Sequence, residues 1–220
     1  MMNGGTIEGV AGQGMAGAKR SNASPWPFEG LKPRAYDLIL CDWPWPFTTF
    51  SAKGQGKSAA RHYASTIEPA RAPEFPVGQL AAPRGALLVF WSTWSRLAPG
   101  DHLPMFAAWG CRPSSGGCWA KVTRNGLPSF GPGYILRDAC EPFITGILGK
   151  RAPAALRHTE RNLILAEVRE HSRKPEEMHR MLERLAPDAR KCELFARQRR
   201  AGWDSFGNEL DMFPPVVGLA

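Results

Sequence analysis

Tyr36-Asp37-Leu38-Ile39-Leu40-Cys41 is an apolar run too short for a helix, and it stops abruptly at Asp42-Trp43-Pro44-Trp45-Pro46. Such a run reads as a buried strand of a parallel sheet, because strands covered on both faces lose the polar alternation of half-exposed ones. Proline donates nothing to a ladder, so the chain is expected to leave the sheet there as a loop. In open α/β sheets, ligands bind at the carboxyl ends of the strands. The pattern therefore predicts one acidic side chain, Asp42, at a ligand-binding edge.

The rest of the chain supplies partners for that strand. Gly85 to Trp91 is a second strong strand, and a short helix is expected around Pro99 to Trp109. Strands are expected at Gly117 to Lys121, Glu141 to Leu148 and Leu163 to Val168, with a Gly/Pro-rich loop over Thr123 to Gly133. Lys174-Pro175-Glu176-Glu177 opens the clearest helix, Pro175 to Leu185, with proline in the first turn and acids near the positive end of the dipole. Met178, Met181, Leu182 and Leu185 fall at helical spacing and read as a core stripe. Cys192 to Ala196 is expected as the final strand. Strands alternating with helices predict an α/β layered fold with a largely parallel sheet in a single domain, residues 34–220. Residues 1–33 are rich in Gly, Ala and Ser and read as a flexible N-terminal tail.

Composition narrows the function classes. The 220 residues suit one domain, and no apolar stretch approaches the length of a membrane span. The N-terminus lacks a secretory pattern, so a cytoplasmic protein with no membrane contact is the expectation. Five cysteines are widely spread without a CxxC pair, which predicts reduced, buried thiols and no zinc site. His62, His102, His158, His171 and His179 show no metal-ligand spacing. Net charge is +8, with 28 Lys and Arg against 20 Asp and Glu, which favours polyanionic partners. Two nucleotide-binding look-alikes fail: Gly12-Gln13-Gly14-Met15-Ala16-Gly17 lacks a preceding strand, and Gly56-Lys57-Ser58 lacks the first P-loop glycine, Ser51 standing there.

A polar side chain, prolines and an aromatic at the end of a buried strand suit methylation of an exocyclic amine. Such an amine is a poor nucleophile, and an acceptor side chain with a backbone carbonyl can hold both of its hydrogens and aim the nitrogen. Asp42 is the side-chain acceptor in this reading, the carbonyl of Trp43 the second, and Trp45 the plate on which the base stacks. A Pro-rich turn packed on tryptophans explains the tetrapeptide alone equally well.

Asp42-Trp43-Pro44-Trp45 resembles the Asp-Pro-Pro-Trp motif of the MT-A70 family. The resemblance continues in order through Arg61-His62-Tyr63, Trp109-Gly110-Cys111-Arg112, Trp119-Ala120-Lys121, Gly133-Tyr134-Ile135-Leu136-Arg137 and Glu141. It then runs through Arg169 to Glu177, Lys191 to Arg197 and Gly202 to Glu209. It implies a Rossmann-like class I methyltransferase fold in permuted, beta-class motif order. It also implies an S-adenosylmethionine-dependent N6-adenine methyltransferase of bacterial or phage type, acting on nucleic acid, with DNA expected before RNA. By matching position, Asp42, Trp43, Pro44 and Trp45 are the expected catalytic residues. Cys41, Asp42, Tyr63, Lys174, Phe195, Arg197, Asn208 and Glu209 are expected at the cofactor, and Trp45, Glu141, Arg199 and Arg200 at the substrate. No metal is expected; a partner subunit or a homodimer is allowed. The departure is Trp43 for the family's first proline, a bulky indole beside the target amine. A catalytically silent nucleic-acid-binding partner subunit, an RNA enzyme and methylation of cytosine N4 stay open at this stage.

Overall fold

A computed structural model of the chain describes residues 25–46, 66–131, 135–151, 153, 156–170 and 173–217. Seven strands form one sheet: β1 (Leu38–Asp42), β2 (Ala86–Trp91), β3 (Cys111–Val122), β4 (Cys140–Leu148), β5 (Leu163–Glu167), β6 (Lys191–Leu194) and β7 (Trp203–Phe206). Their spatial order is β5-β3-β4-β2-β1-β6-β7. β1 lies between β2 and β6, parallel to both, while β4 runs antiparallel to β2 and β3. β5 and β7 join parallel to β3 and β6. The carboxyl ends of β1, β2, β3 and β6 therefore share one edge, as expected for a Rossmann-like α/β domain.

Side chains alternate across the pleat and feed two cores. Ile39, Cys41, Leu88 and Phe90 pack with α2 (His102–Trp109) and two 3-10 turns, Pro69–Glu74 and Val77–Leu80. Leu38, Leu40, Val89 and Trp91 pack on the other face with α3 (Glu176–Leu185) through Met178, Met181 and Leu182. A short α1 (Trp94–Leu97) leads into α2. α2 stops at Gly110, whose φ of 65° is the left-handed cap that glycine adopts without a Cβ clash. α3 starts after Pro175 with Glu176 and Glu177 in its first turn and Arg184 in its last, which complements the helix dipole at both ends. No helix among the described residues is long and apolar enough to cross a membrane.

The structure departs from the sequence expectations in three places. β3 begins at Cys111, six residues before the strand expected at Gly117. β5 pairs with Cys118–Val122, so among the described residues no strand covers the outer edge of the earlier half of β3, where Arg112, Pro113 and Ser114 are tolerated, and a bulge falls between Pro113 and Ser115. β6 is not the last strand: β7 follows it at the sheet edge, and Trp203-Asp204-Ser205-Phe206 is too short and too polar to announce itself. Finally, Phe28 and Leu31 are buried in the core although they lie in the stretch read as tail, and Phe28 meets Phe206 edge-on at 5.2 Å. Average composition over residues 1–33 hides these two anchors. Cys41, Cys111 and Cys192 are buried and Cys118 and Cys140 partly so; all five are free thiols.

Candidate active site at the carboxyl edge of the sheet

Asp42, at the carboxyl end of β1, lies in register with Trp91 of β2. The two-residue period of the strand turns it to the same face as Leu38 and Leu40, under the approach to α3. There its Oδ2 accepts a hydrogen bond from Nζ of Lys174 at 2.9 Å. The same ammonium lies 2.9 Å from Oε1 of Glu141, at the start of β4, and Oε2 of Glu141 lies 3.2 Å from Nζ of Lys121 on β3. Lys174 also sits over the Trp91 ring, 5.7 Å from its centroid. The result is a chain of alternating charge, Asp42–Lys174–Glu141–Lys121, whose first three side chains are 13%, 12% and 18% exposed.

The two carboxyls of this chain do not titrate like surface groups. Burial pushes the Asp42 carboxyl above the usual carboxylate range; Lys174 pulls it down, and Glu141 pushes it up again. Glu141 is also driven upward by burial, but Lys174 and Lys121 together outweigh that and hold it below its ordinary value. One ammonium serves two carboxylates, and Glu141 alone has a second cation. Asp42 is consequently the stronger proton acceptor of the two.

The tetrapeptide loop is built around its tryptophans. Trp43 is only 1% exposed. Its ring meets Phe195 at 5.1 Å, Phe75 at 5.6 Å and Trp109 at 5.8 Å, and its Nε1 donates to the carbonyl of Ile67 at 2.9 Å. The indole that replaces the family's proline is thus anchored in the core, away from the charge chain. Its carbonyl accepts from the backbone N–H of Trp45 at 2.9 Å, and that of Pro44 accepts from Ile67 at 2.8 Å, which pins the loop. Trp45 is 8% exposed, packs edge-on to Phe90 at 5.8 Å, and carries the Arg96 guanidinium over its ring at 5.6 Å. Arg96 in turn donates to the carbonyl of Pro46.

A cleft opens beside Asp42, between the carboxyl ends of β1 and β6 and the start of α3, lined by Lys174, Glu193, Phe195, Arg197 and Arg200 among others. Phe195 follows β6 with φ of 60°, a left-handed backbone that is uncommon outside glycine. Gly207 lies against this turn so closely that a Cβ there would be 2.3 Å from the carbonyl oxygen of Ala196. Arg197 pairs with Glu209 at 2.7 Å. Asn208 is exposed on the turn after β7 and, like Glu209, lies outside the lining of the cleft. Cys41 points into the core opposite the charge chain, and burial raises its thiol far above the ordinary range, so only its backbone reaches the edge.

Arg199 and Arg200, expected together at the substrate, are placed differently. Arg199 is exposed and pairs with Asp211 at 3.2 Å. Arg200 is buried in the cleft wall, where it shares Glu176 with Arg169. Burial, then the neighbouring Arg169 and Arg173, lowers its pKa to about 10. Glu176 is therefore an ion-pair anchor for two arginines as well as a helix-dipole partner.

Tyr63, expected at the cofactor, lies outside the described residues, as do His62, the 51–62 loop and Gly133-Tyr134. Sequence reasoning passed over Lys121, Trp91 and the pair formed by Nε2 of His179 and Oε2 of Glu193 at 2.9 Å. Lys121 stood in a quoted motif, and a lysine two residues beyond a buried tryptophan on one strand was the available signal; Trp91 and Glu193 carried none.

Comparison with known proteins identifies relatives along most of the chain. The family model described as MT-A70 matches residues 36–209. The N6-methyladenosine RNA methyltransferase MTA1 of Cryphonectria parasitica is 30% identical over 81% of this chain and 52% of its own length. The human N(6)-adenine-specific methyltransferase METTL4 is 27% identical over 83% of this chain and 39% of its own. An N(6)-adenosine-methyltransferase MT-A70-like protein of Arabidopsis thaliana reaches 49%, but over only 36% of this chain and 12% of its own length. The chain thus spans about half, or less, of these curated relatives. With the match running from the bridge before β1 to the turn after β7, the chain belongs to the MT-A70 family.

Proposed function

We propose that this protein transfers a methyl group from S-adenosylmethionine to the N6 amine of adenine in nucleic acid, with DNA as the polymer. The observation that carries this reading is Asp42: a buried carboxylate at the carboxyl edge of an inner strand, steadied by Lys174 and followed by a loop pinned by its own backbone hydrogen bonds. The donor set of the adjoining cleft suits the cofactor. Lys174 and Arg197 offer cations for a carboxylate, Asp42 and Glu193 offer anions for an ammonium and a sulfonium, and Phe195 offers an aromatic wall for the adenine. When bound, S-adenosylmethionine supplies an electrophilic methyl group.

The residues of this chain do the rest. Asp42 accepts one N–H of the target amine, and the Trp43 carbonyl, which keeps a lone pair beyond its bond to Trp45, accepts the other. Held this way, the nitrogen is aimed and the water around it excluded, which is where positioning catalysis gains most. Its raised pKa makes Asp42 the better acceptor for the proton that the amine must lose. Trp45 stacks on the base once Arg96 moves from its ring.

The deciding experiment incubates purified protein with labelled S-adenosylmethionine and separate pools of single-stranded DNA, duplex DNA and RNA, then digests each to nucleosides. N6-methyldeoxyadenosine is the expected product. Label only in N6-methyladenosine would move the substrate to RNA, and label in N4-methylcytosine would change the base. Cofactor binding without any methylated nucleoside would overturn the enzymatic reading in favour of a silent partner subunit.

A further inference from the structure

Two of the five thiols differ from the rest. Cys41, Cys111 and Cys192 are buried, whereas Cys118 and Cys140 are only partly covered. Strand pairing brings these two together. Cys118 of β3 stands opposite Pro142 of β4, and Cys140 stands opposite Ala120. They are therefore diagonal neighbours on one face of the pleat, with Trp119 and Glu141 turned to the other face between them. The Cys118 N–H bonds outward to Asn162 at 3.0 Å, and the Pro142 carbonyl accepts from Ser92 at 3.0 Å. The 118–142 pair is thus a non-hydrogen-bonded one, the kind whose side chains come closest. Strand twist closes the diagonal, and the Cys118 thiol donates a hydrogen bond to the sulfur of Cys140.

The surroundings leave the pair reachable. The Cys140 sulfur also accepts from Nε1 of Trp94 at 3.3 Å, so two donors point at one sulfur. Trp94 opens α1 and is 48% exposed. Cys118 lines an open groove of about 650 Å³ with Trp94, Gly116, Pro142, Ile144 and Leu163, space enough for a small oxidant. A bond between the two sulfurs would tie β3 to β4 beside Lys121 and Glu141, the outer half of the buried charge chain.

We propose that Cys118 and Cys140 form a redox-modification site, closing to an intramolecular disulfide when the protein meets a hydroperoxide and reopening with a dithiol reductant. Cys140 reacts first: its sulfur attacks one peroxide oxygen, an S–O bond forms as the O–O bond breaks, and the other oxygen leaves with the thiol proton as alcohol or water. Cys118 then attacks the sulfenic sulfur. The S–S bond forms, the S–O bond breaks, and hydroxide leaves as water with the Cys118 proton. Two thiols together give two electrons to the peroxide. Cys118 comes second because burial, and then its neighbour Cys140, hold its thiol above the ordinary value. None of this depends on the methyltransferase reading.

The test treats the reduced full chain with hydrogen peroxide, blocks remaining thiols with N-ethylmaleimide in denaturant, and maps the peptides by tandem mass spectrometry. Two of the five thiols should escape the maleimide, in a peptide pair joined through Cys118 and Cys140 that dithiothreitol separates. Cys118→Ser should stop at a sulfenic acid on Cys140, captured by dimedone. Cys140→Ser should slow oxidation of Cys118 by about tenfold or more. The wild-type map decides the site even where a variant folds poorly. A disulfide joining any other pair, a link between chains, or sulfonic acid at Cys140 without a disulfide would each overturn the proposal. So would five intact thiols after a dose that fully oxidises free glutathione. Equal rates at Cys118 in the wild type and Cys140→Ser would overturn the order of attack.

Discussion

Lys174→Met is the most informative single perturbation, because one ammonium neutralises two buried carboxylates. The substitution keeps most of the side-chain volume and removes the charge, leaving Asp42 and Glu141 each without a cation 2.9 Å away. Removing one partner of a buried ion pair costs about 3–5 kcal/mol, and the slight residual exposure of all three side chains favours the lower end, about 3 kcal/mol. For a chain of this size that corresponds to a drop in Tm of about 6–12 °C. The pH dependence carries the sharper signature. Without Lys174, Asp42 loses the influence that pulls it down and Glu141 keeps only Lys121, so both carboxyls move up. A carboxyl raised in the folded state adds stability while it is protonated, below its unfolded pKa, and that stability is lost as pH rises through the folded value. The Tm deficit of the variant should therefore be full near pH 7 and shrink as pH falls to about 4–5, where the pair takes up protons. Thermal unfolding followed by circular dichroism from pH 4.5 to 8 measures this. A variant as stable as the wild type at pH 7, or a deficit that does not change with pH, would refute the shared-cation argument.

Asp42→Asn should lower kcat by about a hundredfold or more, as loss of a preorganised electrostatic contact does, with Tm equal to or above that of the wild type. The Asp42 carboxyl is raised by burial, so its charged form burdens the fold near neutral pH, while Lys174 keeps Glu141; a clear fall in Tm would contradict this. Trp43→Ala should cost about 3–5 kcal/mol of stability in urea titrations, because the indole is core, yet leave the activity per folded molecule in place; a stable but inactive variant would return the indole to the target amine. Gly207→Ala should lose about 1–3 kcal/mol and bind S-adenosylmethionine more weakly by calorimetry, since its Cβ meets the Ala196 backbone at 2.3 and 2.9 Å, where nothing flexible can yield. Unchanged affinity would mean that the Phe195–Ala196 turn does not shape the cleft.

Short-range patterns were enough to place β1, β2, β4, β5, β6 and α3 to within one or two residues, and to set Asp42 at a strand end before a proline loop. Each of those signals is local: an apolar run with its breaker, or a stripe at helical spacing with its acids at the start. The ordered motifs were enough for the family, because they repeat a long pattern of residue types and depend on no coordinates. What no window of sequence contained was the pairing order. Asp42 and Lys174 are 132 positions apart, and they meet because β1 lies centrally and the approach to α3 passes over its face. Glu141 and Lys121 join them only because β4 turns back between β3 and β2. The same applies to Trp43, whose indole could have faced the target or the core; Phe75, Trp109 and Phe195, from three other parts of the chain, drew it inward. Local chemistry could name the acid, but its charge, its partner and the space around it are set by long-range packing.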